Sequence, residues 1–362
     1  MNAPIRRFAT FITPHGYGHA SRISSVMNAI REASPGACFE IFTRVPVWFF
    51  NMSLQDGFRY HDVLTDVGLA QATSMEEDLP ETVRRLEALL PYDPALVRNL
   101  ARQVKAAGCE AVLCDVAPLG IAVAREAGLP SVLVENFTWD WIYEGYVNEE
   151  PRLAPYITLL RALFASADHH IRTEPGCTNI PPADLTSNVV SRKPRSTRAE
   201  TRRRLGVESD AKLVMISMGG ILTQYPFLSR LENAKDVIYL VPGGSENYER
   251  RGGLVVIPHH SDLYHPDLVF ASDAIVGKLG YSTLAEAYAA GIPYAYIPRA
   301  RFPESPPMGA WARENIGAVE VAESEFFSGA WLDRVPDLLA QPRRVPEGPN
   351  GADQIAAYVL GL

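Results

Sequence analysis

Twice along this chain, short unbroken apolar runs alternate with amphipathic helical stretches, and that rhythm leaves few folds open. In the first half FATFIT leads into a helical stretch through ISSVMNAIREA and then CFEIFTRV; later AVLCDV is followed by LGIAVAREAG and PSVLVEN. Such alternation is the mark of βαβ units on a parallel sheet. The strand segments are near-continuously hydrophobic, as expected where helices cover both faces of a sheet. Between residues 181 and 204 prolines, serines and seven Lys/Arg residues replace the apolar periodicity, which reads as an interdomain linker plus a first helix. The rhythm then resumes in KLVMISMGG, VIYLVPGG, GLVVIPHH, DAIVGKLG and IPYAYIPR. A length of 362 residues also exceeds what one hydrophobic core usually supports. The expected fold is therefore α/β, with two Rossmann-like doubly wound parallel-sheet domains facing across a cleft. Expected boundaries are 1–186 and 187–346, with 347–362 a terminal helix packing back on the N-terminal domain.

Composition removes several function classes. Hydrophobic residues make up 47% and charged residues 21%, as in folded globular chains. A net charge of -8 argues against a nucleic-acid binder, which needs a broad cationic face. Cys38, Cys109, Cys114 and Cys177 form no CxxC pair and have no histidine at metal-finger spacing, so neither a zinc site nor a disulfide framework is expected. A reducing, cytoplasmic setting fits that pattern. The apolar run near the start is too short and too soon interrupted for a signal peptide. No stretch of about 18 uninterrupted apolar residues occurs, so no integral membrane segment is expected.

Ligands of open α/β sheets collect at the carboxyl ends of strands, which directs attention to the loops leaving each strand. In the first, residues 13–22, Gly16 and Gly18 allow close backbone approach and the following helix start attracts negative charge. His19 stands at that helix start. A neutral imidazole there can remove a proton from a hydroxyl or water; alternatively His15 and His19 only cap or hydrogen-bond the glycine loop. In the second, residues 276–287, Gly280, Ser282 and Thr283 offer donors to a diphosphate, and Glu286 sits one turn into the helix, placed to accept from ribose hydroxyls. The alternative there is an N-cap made by Ser282 and Thr283 with Glu286 completing it. A third segment, residues 135–143, gathers aromatics with one acid. Its aromatic faces suit sugars or bases, and Asp140 could orient hydroxyls or the histidine; Trp139 and Trp141 could equally be core packing. Asp115, at the end of AVLCDV, either supports His19 or caps the next helix. The basic stretch 192–204 reads as a solvated linker and helix face, and Glu76–Asp78 as solvated surface. No DxD motif occurs, so a metal-bridged diphosphate has no obvious ligands, and helix dipoles and donors are left to hold one.

HGYGHASR followed downstream by GKLGYSTLAEAYAAGIPYAYIPR resembles the MurG-like GT-B glycosyltransferase superfamily. Closer still is the N-terminal GT-B region of plant L-arabinokinases, a likeness carried by HGYGHASR, CDVAP, ENFTWDWIY, SMGG, ASDAIVGKLGYSTLAEA and PNGADQIAA, and hence by nearly the whole chain. The sugar-kinase half of those proteins is not in this sequence. The resemblance implies a nucleotide-sugar site, and the first function expected there is an inverting, metal-independent glycosyltransferase that moves a sugar from a UDP-linked donor to the hydroxyl of a small-molecule acceptor. The nucleotide sugar is then a co-substrate, and no cofactor or metal is implied.

Position by position, the resemblance makes His19 the histidine beside the reacting sugar; Asp115 and Asp140 are the further catalytic candidates, read from their own places in the chain. Gly280, Ser282 and Thr283 match the diphosphate turn and Glu286 matches the ribose-binding acid, and Gly18 and Tyr281, in the two glycine turns, are further donor-side candidates. Residues 258–260, including His260, match the segment that reads the nucleobase, and Met218, Gly219 and Gly220 match the first loop of the C-terminal domain. Lys278 departs from the pattern and adds a charge near the leaving diphosphate. His15, Tyr17, Asn136 and Trp139 are the candidates for acceptor or sugar contacts. Two other functions use the same residues: a nucleotide-sugar hydrolase or epimerase, and a non-catalytic nucleotide-sugar-binding regulatory module.

Overall fold

The computed structural model describes residues 6–73, 75–178, 182–219, 225–258 and 261–362. The chain divides into two compact units, Met1–Ser191 with Phe302–Glu304 and Pro349–Leu362, and Arg192–Arg301 with Ser305–Gly348.

The first unit is built on seven strands: β1 (Arg7–Ile12), β2 (Cys38–Thr43), β3 (Phe58–Asp62), β4 (Ala111–Asp115), β5 (Ser131–Glu135), β6 (His169–Thr173) and β7 (Leu185–Ser187). Their order is β3-β2-β1-β4-β5-β6-β7, with every pair parallel. β1 and β2 are buried beyond their first residue, and β4 and β5 throughout, which is why they read as continuous apolar runs. Phe11 and Phe42 stack across neighbouring strands at 4.5 Å. Crossover helices start and stop where local chemistry dictates. Asp93 caps the helix Pro94–Ala106 by accepting from the Ala95 amide, with proline at the first turn. Pro118–Ala127 ends on Gly128 at φ +66°, a left-handed stop that glycine adopts without strain.

The unit extends to Ser191 rather than stopping at 186, because β7 continues the sheet and Ser191 is tied to Asn350. The Asn350 side chain accepts from the Ser191 and Ala352 amides at 3.2 and 3.0 Å, and its own amide donates to the Ser191 carbonyl at 2.7 Å. It thereby caps the helix Gly351–Leu360, which packs on the helix Gly18–Ala33.

The second unit repeats the plan with β8 (Lys212–Ser217), β9 (Val237–Ser245), β10 (Glu249–Arg251), β11 (Leu254–Pro258), β12 (Ala274–Lys278), β13 (Tyr294–Ile297) and β14 (Val319–Glu320). The order is β10-β11-β9-β8-β12-β13-β14, parallel except for the edge strand β10. The basic stretch expected to be solvated is buried in part. Arg202, on the helix Arg198–Arg204, donates to Asp273 at 2.7 Å and to four backbone carbonyls, and Arg192 is also buried. Each guanidinium is satisfied by acceptors that its sequence neighbourhood does not reveal.

Each sheet reverses direction of growth once, between β1 and β4 in the first unit and between β8 and β12 in the second. Such switch points open a crevice at the carboxyl ends of the strands. The glycine loops after β1, β8 and β12 leave from those points.

Close sheet packing at the second switch point makes one glycine indispensable. A methyl group on Gly277, in β12, would overlap the backbone carbonyl of Ser217 in β8. Gly277→Ala is expected to destabilise the C-terminal unit by on the order of 3 kcal/mol, read as a lower denaturation midpoint. A midpoint equal to wild type would contradict this packing.

Candidate active site

At the first switch point β1 runs into the loop holding His15 and His19. Gly16 turns at φ +72°, and Gly18 opens the helix Gly18–Ala33, whose start carries no side-chain cap and no acid in its first turn. His19, 7% exposed, places Nδ1 2.9 Å from Oδ1 of Asp115 at the end of β4. Arg22, one helical turn on, donates from Nε to Oδ2 at 2.9 Å and from Nη2 to Oδ1 at 2.6 Å of the same carboxylate. Burial opposes the charge of Asp115, but the Arg22 guanidinium and the hydrogen bonds from His19 and Arg22 outweigh it and hold the carboxyl below its ordinary range.

An ionised carboxylate only accepts, so Nδ1 of His19 carries the proton and donates it to Asp115. The 3.2 Å approach of Arg22 Nη2 to that protonated nitrogen is then a contact between donors. Nε2 keeps the lone pair, and among the described residues it has no hydrogen-bond partner. Of the two roles open to Asp115, support of His19 is the one observed, since no side chain caps the helix that follows. Val116, the next residue, sits at φ +50°, a strained setting for a β-branched side chain that costs about 1–3 kcal/mol.

The other N-terminal candidates divide. His15 takes the bland role open to it, accepting the Leu69 amide on Nδ1 at 3.3 Å, with its ring edge-on to Trp139 at 5.0 Å. Trp139 is 1% exposed and stacks on Tyr143 at 6.1 Å, and its ring also lies 6.3 Å from that of His19. Asn136 is likewise enclosed. Its Oδ1 accepts from Arg22 Nη1 and its Nδ2 donates to Glu304 at 2.7 Å, which links those two charged groups. Tyr17 lies parallel on Phe49 at 5.4 Å and is half-buried. Asp140 pairs with Arg161 at 3.2 Å; the carboxylate that orients His19 is Asp115. Arg22 and Glu304 carry no motif of their own, although the spacing of Arg22, one turn beyond His19, is a usable signal.

At the second switch point Gly219 turns at φ +74° beyond β8, and a methyl group on it would stand 3.4 Å from Lys278 Cε. Gly220 and His260 lie outside the described residues. Gly280 is itself the N-cap of the helix Tyr281–Ala290, with no side-chain cap and no acid in the first turn. Tyr281, Ser282 and Thr283 therefore form the helix's first turn, and the alternative in which Ser282 and Thr283 are caps does not hold. A side chain at Gly280 would meet nothing within 4 Å.

Glu286 is enclosed by partners from its own unit. It is 1% exposed, its Oε1 accepts from Arg192 Nε and Nη2 at 2.9 and 2.8 Å, and its Oε2 accepts from His265 Nδ1 at 2.7 Å. Both oxygens are engaged, and although burial opposes the charge, Arg192 and His265 hold the carboxyl below its usual value. Arg192 also lies over the ring of Tyr264, at 5.3 Å.

No group of three or more His, Cys, Asp or Glu suited to a metal occurs among the described residues. Among the same residues no helix is long and apolar enough to cross a membrane.

A further acid lies under the glycine loop. Asp66 accepts from Thr13 Oγ1 at 2.6 Å and from Thr65 Oγ1 at 3.1 Å, and burial pushes its carboxyl up to about 7 against those bonds. The folded pKa exceeds the unfolded value of about 3.9. Its contribution to stability is thus full below that value and lost as pH rises through about 7. Asp66→Asn should gain on wild type between pH 5 and pH 8, giving a more positive difference in Tm at the higher pH. An equal difference at both would show that Asp66 is ionised throughout.

No family model matches this sequence. The chain is 28% identical over 357 residues to the L-arabinokinase of Arabidopsis thaliana, covering 98% of this chain and 34% of that protein. It is also 28% identical over 183 residues, 46% of this chain and 48% of the other, to the UDP-N-acetylglucosamine--N-acetylmuramyl-(pentapeptide) pyrophosphoryl-undecaprenol N-acetylglucosamine transferase of Halalkalibacterium halodurans. The chain therefore spans about a third and about half of the lengths of these curated relatives. Among solved structures, Arabidopsis thaliana UGT89C1 complexed with UDP is similar with a TM-score of 0.63 at 15% identity, covering 98% of this chain and 99% of that one. Two Rossmann-like units, each with its glycine turns at the switch point of its own sheet, give this chain the GT-B fold.

Proposed function

We propose that this protein is a glycosyltransferase that takes a sugar from a UDP-linked donor and passes it, with inversion and without a metal, to the hydroxyl of a small acceptor. The observation that carries the reading is the His19–Asp115 pair, in which the carboxylate holds the Nδ1 proton and leaves the Nε2 lone pair for a substrate. Nε2 takes the acceptor's hydroxyl proton while the oxygen forms a bond to the anomeric carbon. The bond from that carbon to the diphosphate oxygen breaks on the opposite face, and its electron pair leaves with the diphosphate. The proton ends on His19, where Asp115 stabilises the imidazolium.

The departing charge is met by the uncapped start of the helix Tyr281–Ala290 and by Lys278, which together replace the cation that other transferases use. The donor class is supported by the UDP complex of the similar structure and by the named donor of the bacterial relative.

A panel of UDP-sugars offered with small alcohol and phenol acceptors, read by UDP release and product mass, tests the reading. His19→Ala is expected to lower turnover roughly 10²–10⁴-fold while UDP still raises the Tm as it does in wild type. Unchanged turnover would remove His19 from its role. Stoichiometric UDP and free sugar without any acceptor, at the full rate, would make water the acceptor and the protein a hydrolase.

A further inference from the structure

Glu304 is far from the glycine loop in sequence, yet Phe302–Glu304 belongs to the N-terminal unit. The segment is seated there by packing. The Phe302 ring stacks on His15 at 6.2 Å and meets Phe137 edge-on at 6.1 Å. Pro303 lies so close to Gly145 that a methyl group there would stand 2.6 Å from its Cγ. Glu304, 9% exposed, accepts from Asn136 Nδ2 at 2.7 Å.

The amide of Asn136 has one workable orientation between these neighbours. A guanidinium only donates and a carboxylate only accepts, so Oδ1 must face Arg22 and Nδ2 must face Glu304. Arg22 then spends its remaining fork on both oxygens of Asp115, and Asp115 takes the Nδ1 proton of His19. From Glu304 to His19 each polar group fixes the direction of the next. Without Glu304 only Arg22 still holds the Asn136 amide, and its buried NH2 group is left without an acceptor. A turn of the amide in search of one would set NH2 against the guanidinium, donor against donor, and loosen its hold on Asp115.

We propose that Glu304 is a positioning residue for His19, acting through Asn136 and Arg22 to keep Asp115 aimed at Nδ1 so that Nε2 bears the lone pair. The proposal rests on the reading of His19 as the base.

The histidine ring can be observed directly in the intact protein labelled with ¹⁵N-histidine, using two-bond ¹⁵N–¹H correlations, with His19 identified by the signal lost in His19→Gln. Wild type should show Nδ1 protonated and Nε2 bare. Glu304→Ala should move His19 toward the mixed tautomers of a free imidazole, read as ring-nitrogen signals shifted toward their averaged positions. Glu304→Gln, whose side-chain oxygen can accept the same N–H, should restore the wild-type signals. Asn136→Ala should match Glu304→Ala, and the double variant should move no further than Asn136→Ala alone, since the two residues act in series. Should Asn136→Ala prove too unstable for spectra, the two Glu304 variants decide the matter.

An unchanged tautomer in Glu304→Ala overturns the proposal, as does a Glu304→Gln spectrum displaced equally far. These signals need no turnover, so the two readings fail separately. A His19→Ala protein that still turns over UDP-sugars retires the catalytic role, whereas an inactive one beside an undisturbed Glu304→Ala spectrum retires only the role of Glu304.

Discussion

The N-terminal site depends on keeping Asp115 ionised where no water reaches it. A buried carboxylate left alone takes up a proton instead of bearing the desolvation cost, and a protonated Asp115 could no longer fix the Nδ1 proton of His19. Arg22 prevents this with two bonds to the carboxylate and a third to Asn136. The planar guanidinium is suited to the task, since a lysine ammonium is a point charge that cannot match both oxygens and a third partner in one plane. The sheet makes its own contribution. The Thr13 amide donates to the Asp115 carbonyl at 3.2 Å, and the strained φ of Val116 re-aims the chain just after the carboxylate. Strain of that kind persists only where the surroundings over-determine it.

The C-terminal unit uses the same device differently. Glu286 is again a buried carboxylate held ionised by an arginine, now with His265 on the second oxygen. Here the pair closes the acid instead of exposing a neighbouring lone pair. The chemistry left open in this unit is that of the glycine turn and the start of the helix Tyr281–Ala290, where no acid in the first turn opposes an anion and the space beside Gly280 is clear. Buried arginine–carboxylate pairs are weak evidence for net stability, because desolvation offsets much of the attraction. Their value in both units is orientation.

Those pairs also mark where the sequence stops being legible. The central strands could be read because both faces are covered, so their apolar runs are unbroken. β3, β6 and β7 escape that reading because β3 is only half-buried, β6 begins with two histidines and β7 has three residues. The edge strands β10 and β14 are short for the same reason. Within the site, His19 and Asp115 are recognisable one by one as residues at strand ends. Their pairing follows only from the adjacency of β1 and β4 at the switch point. Glu304 has no local signal at all, because its role exists only once the chain returns to the first unit. Arg192 reads like its basic neighbours, since local composition cannot distinguish a solvated guanidinium from one buried against Glu286.

The balance of charge around His19 gives the network a direction. Asp115 and Glu304 bring two negative charges and Arg22 one positive charge, all buried and joined through Asn136. Summed over these three groups and His19 alone, the charge is one negative with His19 neutral and zero with His19 protonated. On the proposed mechanism, proton transfer to Nε2 moves this set of charges toward balance as the acceptor oxygen attacks. Fixed groups that favour the charge arising during a reaction over the charge present before it lower the barrier without tightening the ground state. The overall charge of -8 plays no part in this. What matters is one guanidinium placed between two carboxylates, with an imidazole positioned to supply the missing positive charge.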